Sequence, residues 1–287
     1  MTIIDQMLEQ YELKTNYDRK NAIKEIIQEI TLYSLAESNF FKEVAFYGKT
    51  ALRIFYGLDR FSEDLDFSLT TKNENFNFSD FLPTVEKHLK SFGITVEIIE
   101  KEKTSDSNIK SAFIKGNTRT QLFTFYGQTN FSGIQNNEKI KVKFELDVNP
   151  PNYAQFETKY RLLPSPYEIK LYKPSSLFAG KIHAVVCRSW KNRVKGRDLY
   201  DYIFYITKKI PVNIKHLRER FIQTDFLNEE DELTLDKLKV ILKKHFDEID
   251  YNSAKEDVMP FIKDPSKLKI WSADFFKQIT DNLLEEK

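Results

Sequence analysis

Two aspartates one residue apart are the clearest candidates for chemistry in this chain. Asp64 and Asp66 lie in the segment 60–67, which reads Arg-Phe-Ser-Glu-Asp-Leu-Asp-Phe. In a β-strand, residues i and i+2 point to the same side, so both carboxylates face one spot. Like charges this close are tolerated when a cation or a proton lies between them. A hard divalent ion such as Mg2+ takes carboxylate oxygens together with substrate phosphates. The pair therefore indicates a metal site.

A glycine-containing turn precedes the two aspartates. Gly48, Lys49 and Thr50 lead into a predicted helix over residues 51–58. The free N–H groups at the N-terminus of a helix can hold phosphate. A phosphate-binding turn followed by a metal-binding carboxylate pair predicts an enzyme that transfers nucleotides.

A later strand offers two further carboxylates. Two metal ions about 4 Å apart can stabilise the attacking and leaving oxygens of such a transfer, and a third acid from a neighbouring strand would help to hold them. Residues 139–148 alternate apolar and polar side chains, with Glu145 and Asp147 on the polar side. The same alternation is equally typical of a solvated strand edge, so the residues alone leave both interpretations open.

These segments resemble the AbiEii/AbiGii toxin family, which includes the MenT toxins, within the polymerase-beta-like nucleotidyltransferase superfamily. The family carries Gly-Gly-Thr-Ala-Leu-Arg and Arg-Phe-Ser-x-Asp-x-Asp, which correspond to residues 48–53 and 60–66 here. Lys49 stands where Gly or Ser is usual, so it either alters the phosphate turn or supplies an extra cation for the triphosphate. The resemblance covers the chain from about residue 40 to its end.

The resemblance also implies roles for particular residues. Asp64 and Asp66 are expected to be catalytic and to bind metal, and Asp147, ahead of Glu145, is expected to supply the third acid. The expected contacts to the nucleotide phosphates are Gly48, Lys49, Thr50 and Ser62.

A second motif follows in residues 178–202. Lys181 lies on a predicted helix, a basic loop follows it, and Arg197 and Asp198 begin the next helix with Asp201 one turn on. Lysine and arginine in this setting suit a triphosphate. The alternative is a solvated basic loop whose acids stabilise a helix N-terminus. By the same resemblance Lys181 is catalytic and contacts the nucleotide, Asp198 or Asp201 completes the active site, and Arg197 and Asp201 bind the nucleotide.

The elements around these motifs predict an α+β fold. It consists of a nucleotidyltransferase mixed-sheet core of about five strands with flanking helices, followed by a helical C-terminal domain. The predicted domains are the N-terminal helices 1–38, the core 39–160 and the helical domain 161–287. Apolar patterning predicts strands at 65–69, 94–99, 111–115, 121–126 and 139–148, and helices from about residue 166 onward.

Composition limits the class of protein. Lys and Arg number 44 and Asp and Glu 43, giving a net charge of +1, which argues against a strongly basic nucleic-acid binder while allowing a local basic face. The lone Cys187 permits no intrachain disulfide and indicates a reducing compartment. Neither a signal peptide nor a run of about 18 apolar residues is present, so we expect a cytoplasmic protein that does not bind membranes.

The expected function is transfer of a nucleotide from an NTP to an acceptor with release of pyrophosphate, using Mg2+ or Mn2+. The family resemblance implies the 3′ end of a tRNA as the RNA acceptor. It also implies a role as the toxin of a type IV-like toxin–antitoxin system in phage defence, with a cognate antitoxin that acts with or without direct contact. Two alternatives remain: transfer to a protein hydroxyl, and a non-catalytic nucleotide-binding module. The residues do not identify the base of the NTP.

Overall fold

The structure is a computed structural model that describes residues 1–101, 108–188 and 194–286. Within these ranges the chain forms eleven α-helices and seven β-strands, which confirms the predicted α+β class. The chain divides into two compact units. Unit 1 comprises Met1–Leu52, Ser62–Pro150 and Glu157–Leu171, and unit 2 comprises Arg53–Phe61, Pro151–Phe156 and Tyr172–Lys287. The predicted domain boundaries after residues 38 and 160 stay predictions.

Unit 1 is built on a mixed sheet of seven strands in the order β3-β4-β5-β2-β1-β7-β6. Strand β2 pairs antiparallel with β1 and parallel with β5, and β4 pairs antiparallel with both β3 and β5. β5 is therefore an interior strand, and the strand-edge interpretation of its alternating pattern is wrong. The strands are β1 (Val44–Tyr47), β2 (Asp64–Leu69), β3 (Glu97–Lys101), β4 (Ile109–Asn117), β5 (Lys139–Asp147), β6 (Phe156–Arg161) and β7 (Tyr167–Tyr172).

Helices cover one face of this sheet and fix the direction of its side chains. The central helix α2 packs against β5 and α4, and its isoleucines are buried. On β2, Leu65, Phe67 and Leu69 are buried, and the ring of Phe67 stacks on Phe144 of β5 at a centroid distance of 4.4 Å. The helices of unit 1 are α1 (Ile3–Leu8), α2 (Asn16–Glu37), the first part of α3 (Gly48–Tyr56), α4 (Leu82–Ser91) and α5 (Thr118–Tyr126).

Because alternate residues of a strand face opposite sides, burial of Leu65 and Phe67 leaves Asp64 and Asp66 on the other face of β2. The two aspartates are partly exposed there. The core of unit 1 thus positions the candidate metal site.

Two predictions of secondary structure are wrong. Residues 121–126, predicted as a strand, lie in α5, which begins where the side chain of Asn117 accepts a hydrogen bond from the backbone N–H of Thr120. This N-cap favours a helix over the strand preference of the aromatic residues that follow. Residues 167–172, predicted as helical, form β7, and the sheet has seven strands where about five were expected.

Unit 2 is mainly helical, as predicted. The aromatic side chains of Tyr202, Tyr205, Phe246 and Phe276 are buried in its core. No helix within the described ranges is both long and apolar enough to cross a bilayer. The helices that lie wholly in this unit are α6 (Pro174–Cys187), α7 (Gly196–Thr207), α8 (Ile214–Gln223), α9 (Leu235–Asp247), α10 (Tyr251–Val258) and α11 (Ala273–Thr280).

Candidate active site

Gly48 packs directly against the carboxylate of Asp66. The β1–β2 register places Tyr47 opposite Asp66, and Gly48 follows at the start of α3 with φ of +81°. A Cβ atom built on Gly48 would lie 2.2 Å from Oδ2 of Asp66. Glycine is therefore required here on two grounds, the left-handed backbone and the lack of space. The contact brings the N-terminus of α3 beside the candidate metal site.

The hydroxyls of Thr50 and Ser62 tie this turn to β2. Thr50 Oγ1 donates to the backbone oxygen of Asp64, and Ser62 Oγ lies 2.8 Å from Thr50 Oγ1. The backbone oxygen of Ser62 accepts a bond of 3.0 Å from the Gln28 amide on α2. Thr50 and Ser62 are both buried, and their hydroxyls are already used within the protein. Their contact with phosphate stays a prediction.

Lys49 supplies a cation next to the candidate metal ligands. Its Nζ lies 3.4 Å from Oδ2 of Asp64, and the two side chains are 28% and 32% exposed. The ammonium group of Lys49 therefore lies within ion-pair distance of one of the two candidate metal ligands. Two hard oxygen donors on one face of a strand suit Mg2+, so Asp64 and Asp66 fit the implied ion.

The register of β5 separates the two candidates for the third acid. Glu145 pairs with Asp66, whereas Asp147 pairs with Ser68, two residues further along. Both acids share the face of Asp66. Glu145 makes an ion pair of 2.6 Å with Lys143. Among the residues that the structure describes, no three His, Cys, Asp or Glu side chains are grouped as a metal site. The choice between Glu145 and Asp147 therefore stays open.

Unit 2 contains a group of five charged side chains, of which four are buried and Arg188 is exposed. Lys181 on α6 contacts two carboxylates of α7, Asp198 at 2.6 Å and Asp201 at 2.7 Å. Asp201 also accepts two bonds from Arg60, of 2.7 Å from Nε and 2.6 Å from Nη2. Asp198 pairs with Arg188. The structure thus brings together three of the predicted residues, Lys181, Asp198 and Asp201.

Sequence reasoning did not assign a role to Arg60. Its only signal was its position at the start of the Arg-Phe-Ser motif. The Arg60 side chain is 1% exposed and that of Asp201 is fully buried. Burial alone would raise the pKa of Asp201, but Arg60 and Lys181 outweigh it and hold that pKa below its ordinary value. Asp201 is therefore an ionised carboxylate in the interior, held by two cations.

Arg197 contacts Asp257 and Phe261. Its Nε lies 3.4 Å from Oδ2 of Asp257, and its guanidinium stacks over the ring of Phe261 at 4.4 Å from the centroid. The structure does not place it with Lys181. The predicted basic loop includes residues 189–193, which lie outside the described residues.

The family profile described as "Nucleotidyl transferase AbiEii toxin, Type IV TA system" matches residues 30–278. A candidate nucleotidyltransferase of Helicobacter pylori shows 19% identity over 90% of this chain and 89% of its own, with a TM-score of 0.44. JHP933 from Helicobacter pylori shows 19% identity over 89% of this chain and 85% of its own, with a TM-score of 0.42. The comparison with curated proteins gave no match.

Proposed function

The chain belongs to the AbiEii nucleotidyltransferase toxin family, and from that premise we propose that it transfers a nucleotide from an Mg2+-bound NTP to the 3′ end of a tRNA. As a member of this family it is a nucleotidyltransferase and a toxin of a type IV toxin–antitoxin system. The observation that carries the proposal is the placement of Asp64 and Asp66 on one face of β2, with Gly48 packed on Asp66 and Lys49 beside Asp64.

The proposed chemistry follows from these groups. Asp64 and Asp66 would hold Mg2+, or Mn2+ in its place, and the ion would supply positive charge to the attacking and leaving oxygens. The acceptor hydroxyl gives its proton to solvent and its oxygen bonds to the α-phosphorus. The bond from that phosphorus to the bridging oxygen breaks, and the oxygen leaves with pyrophosphate. Lys49 and the first N–H groups of α3 would bind the triphosphate, because a helix N-terminus and an ammonium group both favour phosphate.

The remaining residues keep the roles implied by the family. Asp147 or Glu145 is the third acid. Lys181 is catalytic and contacts the nucleotide phosphates, and Asp198 is also catalytic. Arg197 and Asp201 take part in nucleotide binding. The partners are the NTP, the tRNA and a cognate antitoxin, and the proposed location is the cytoplasm.

Replacing Lys49 with Met is expected to have opposite effects on the ion and on the nucleotide. Without the ammonium group, Asp64 loses a competing cation, so Mn2+ alone should bind about two- to fivefold more tightly, as expected for a partly exposed ion pair. The KM for NTP should rise, because a phosphate contact is lost. Calorimetric titration with Mn2+ and steady-state kinetics measure the two effects. A weaker Mn2+ site in the variant would contradict this role of Lys49.

The proposed function is tested by labelling. Purified protein is incubated with total tRNA, Mg2+ and each α-32P-labelled NTP in turn, alongside an Asp64→Asn variant. We expect label on tRNA with the wild type and none with the variant, because the variant lacks one of the two metal-binding carboxylates. Circular dichroism should show that the variant is folded, since Asp64 is partly exposed. Retained transfer in the variant would overturn the assignment of Asp64.

Other outcomes identify the alternatives. Label on protein and none on RNA would indicate a protein hydroxyl as the acceptor. Tight binding of Mg2+-NTP with no release of pyrophosphate on any acceptor would contradict transfer and favour a binding module.

A further inference from the structure

The face of the sheet that carries Asp64 and Asp66 continues into a lysine-rich surface. In the parallel register of β2 and β5, Lys143 lies level with Asp64. Lys141 and Lys139 precede Lys143 at alternate positions of β5 and therefore point to the same side. Across the antiparallel pair, Lys115 of β4 lies opposite Lys141 and Phe113 opposite Lys143. We call Lys115, Lys139, Lys141, Lys143 and Phe113 the lysine face.

Four lysines give this face its positive charge, and Glu97 of β3 lies across the sheet from Lys115. Lys115 and Lys141 lie directly opposite each other, and like charges at such positions destabilise a sheet. In the described part of the chain neither of these two lysines forms an ion pair. The other two lysines form ion pairs, an exposed one between Lys139 and Glu97 at 3.6 Å and a partly exposed one between Lys143 and Glu145 at 2.6 Å. Ion pairs this open to solvent stabilise little, so an anion over this face would relieve the repulsion between Lys115 and Lys141.

The lysine face also includes an aromatic ring. Phe113 is partly exposed, and Nζ of Lys115 lies 5.3 Å from its ring centroid. The next residue across the sheet, Ile99 of β3, is 39% exposed. Proteins that bind single-stranded nucleic acids combine basic surfaces that follow the backbone with aromatic rings on which bases stack. Lysines around a partly exposed phenylalanine match that chemistry.

We propose that the lysine face binds the single-stranded 3′ segment of the RNA acceptor and leads its end to Asp64 and Asp66. This inference rests on the proposed function, because it supplies the acceptor for the same reaction. From Lys139 to Lys143 the strand rises by about 13 Å, which matches about four stacked nucleotides at about 3.4 Å each. The segment lies along β5, and its last nucleotide reaches the carboxylates level with Lys143.

The test compares two double variants, each of which removes two lysines from unit 1. Lys115→Gln/Lys141→Gln alters the lysine face. The matched control, Lys87→Gln/Lys90→Gln, removes the same charge from exposed positions on α4, a helix that packs against α2. Filter binding of total tRNA is measured with each pair in the Asp64→Asn background, and steady-state transfer with each pair in the active enzyme.

We expect the Kd for tRNA of the lysine-face variant to rise about 10-fold at low salt, and its slope of log K against log salt to become about 1.4 less steep, from two lost contacts to a single strand. The KM for tRNA should rise in parallel, while the KM for NTP stays unchanged. The control pair should leave all of these values within about twofold of the parent protein, because single exposed charges act mainly through short-range contacts.

The outcomes separate this inference from the proposed function. An unchanged Kd for tRNA, or an equal loss in the control pair, would overturn the lysine face as the acceptor site. Absence of label on RNA with the wild-type enzyme would instead contradict the tRNA acceptor, and the binding measurement in the Asp64→Asn background would still decide whether the face binds RNA. Label on a protein acceptor that falls in the lysine-face variant would show that the face serves a protein and would overturn the inference.

Discussion

Gly48→Ala is expected to lower nucleotidyl transfer by about 100-fold, the size of loss produced by displacing a reacting group by about 1 Å. The added methyl carbon would lie 2.2 Å from Oδ2 of Asp66, so either the carboxylate or the turn must move. The φ of +81° adds strain for any residue with a Cβ atom. Steady-state transfer measures the loss, and urea unfolding measures the accompanying change in stability.

Gly93→Ala provides the matched control. Gly93 has a φ of +77°, and a Cβ atom there would have no neighbour within 4 Å. Both substitutions therefore carry the same kind of backbone strain, and the clash with Asp66 is present in Gly48→Ala alone. Gly93→Ala should lose stability and keep its activity. Equal activity losses in the two variants would show that backbone strain, and not the position of Asp66, limits transfer.

The candidate metal pair could be predicted because its signal is local. The spacing of Asp64 and Asp66 determines that they share one side of a strand, and the apolar residues between and after them determine which side is buried. The strand β5 could be predicted for the same reason, because apolar and polar side chains alternate over residues 139–148. Whether Glu145 or Asp147 lies beside Asp66 depends on the register of two strands far apart in sequence, and no local pattern fixes that register.

The missed strand β7 did carry a local signal. Tyr167, Ile169 and Leu171 are buried and alternate with Glu168 and Lys170, which is the period of a half-buried strand. The prediction of a helix from about residue 166 overlooked this alternation. Residues 121–126 differ, because their aromatic content favours a strand and the cap at Asn117 outweighs it.

The pairing of Arg60 with Asp201 could not be predicted from spacing. The two residues are 141 positions apart, and each belongs to a motif that has its own local interpretation. The family resemblance assigned Lys181 and Asp198 or Asp201 to one active site, and the structure shows that the three side chains are in contact. The sequence could not predict that Asp201 is fully buried, since burial depends on the packing of distant elements.

Arg60→Met is expected to lower the free energy of unfolding by about 3–5 kcal/mol, the usual cost of removing one partner of a buried ion pair. Asp201 would keep its ion pair with Lys181, but Lys181 also forms an ion pair with Asp198. The double variant Arg60→Met/Asp201→Leu removes the buried carboxylate as well, so it should regain at least about half of the loss. Urea unfolding at pH 7 measures both variants. A double variant no more stable than Arg60→Met would contradict this account.

The pH dependence of the same variants tests the cause. In the wild type the pKa of Asp201 is held below its ordinary value, so its contribution to stability is present at neutral pH and is lost as pH falls through the folded pKa. Burial raises the pKa of Asp201, and the charge of Arg60 is the largest effect that lowers it. Arg60→Met removes that charge, so the pKa of Asp201 should rise. The variant can then protonate Asp201 at a higher pH than the wild type can. The stability difference between wild type and Arg60→Met should therefore shrink from pH 7 to pH 4, because the carboxylate that has lost Arg60 becomes neutral. A difference that stays constant over this range would show that Arg60 acts through packing and not through its charge.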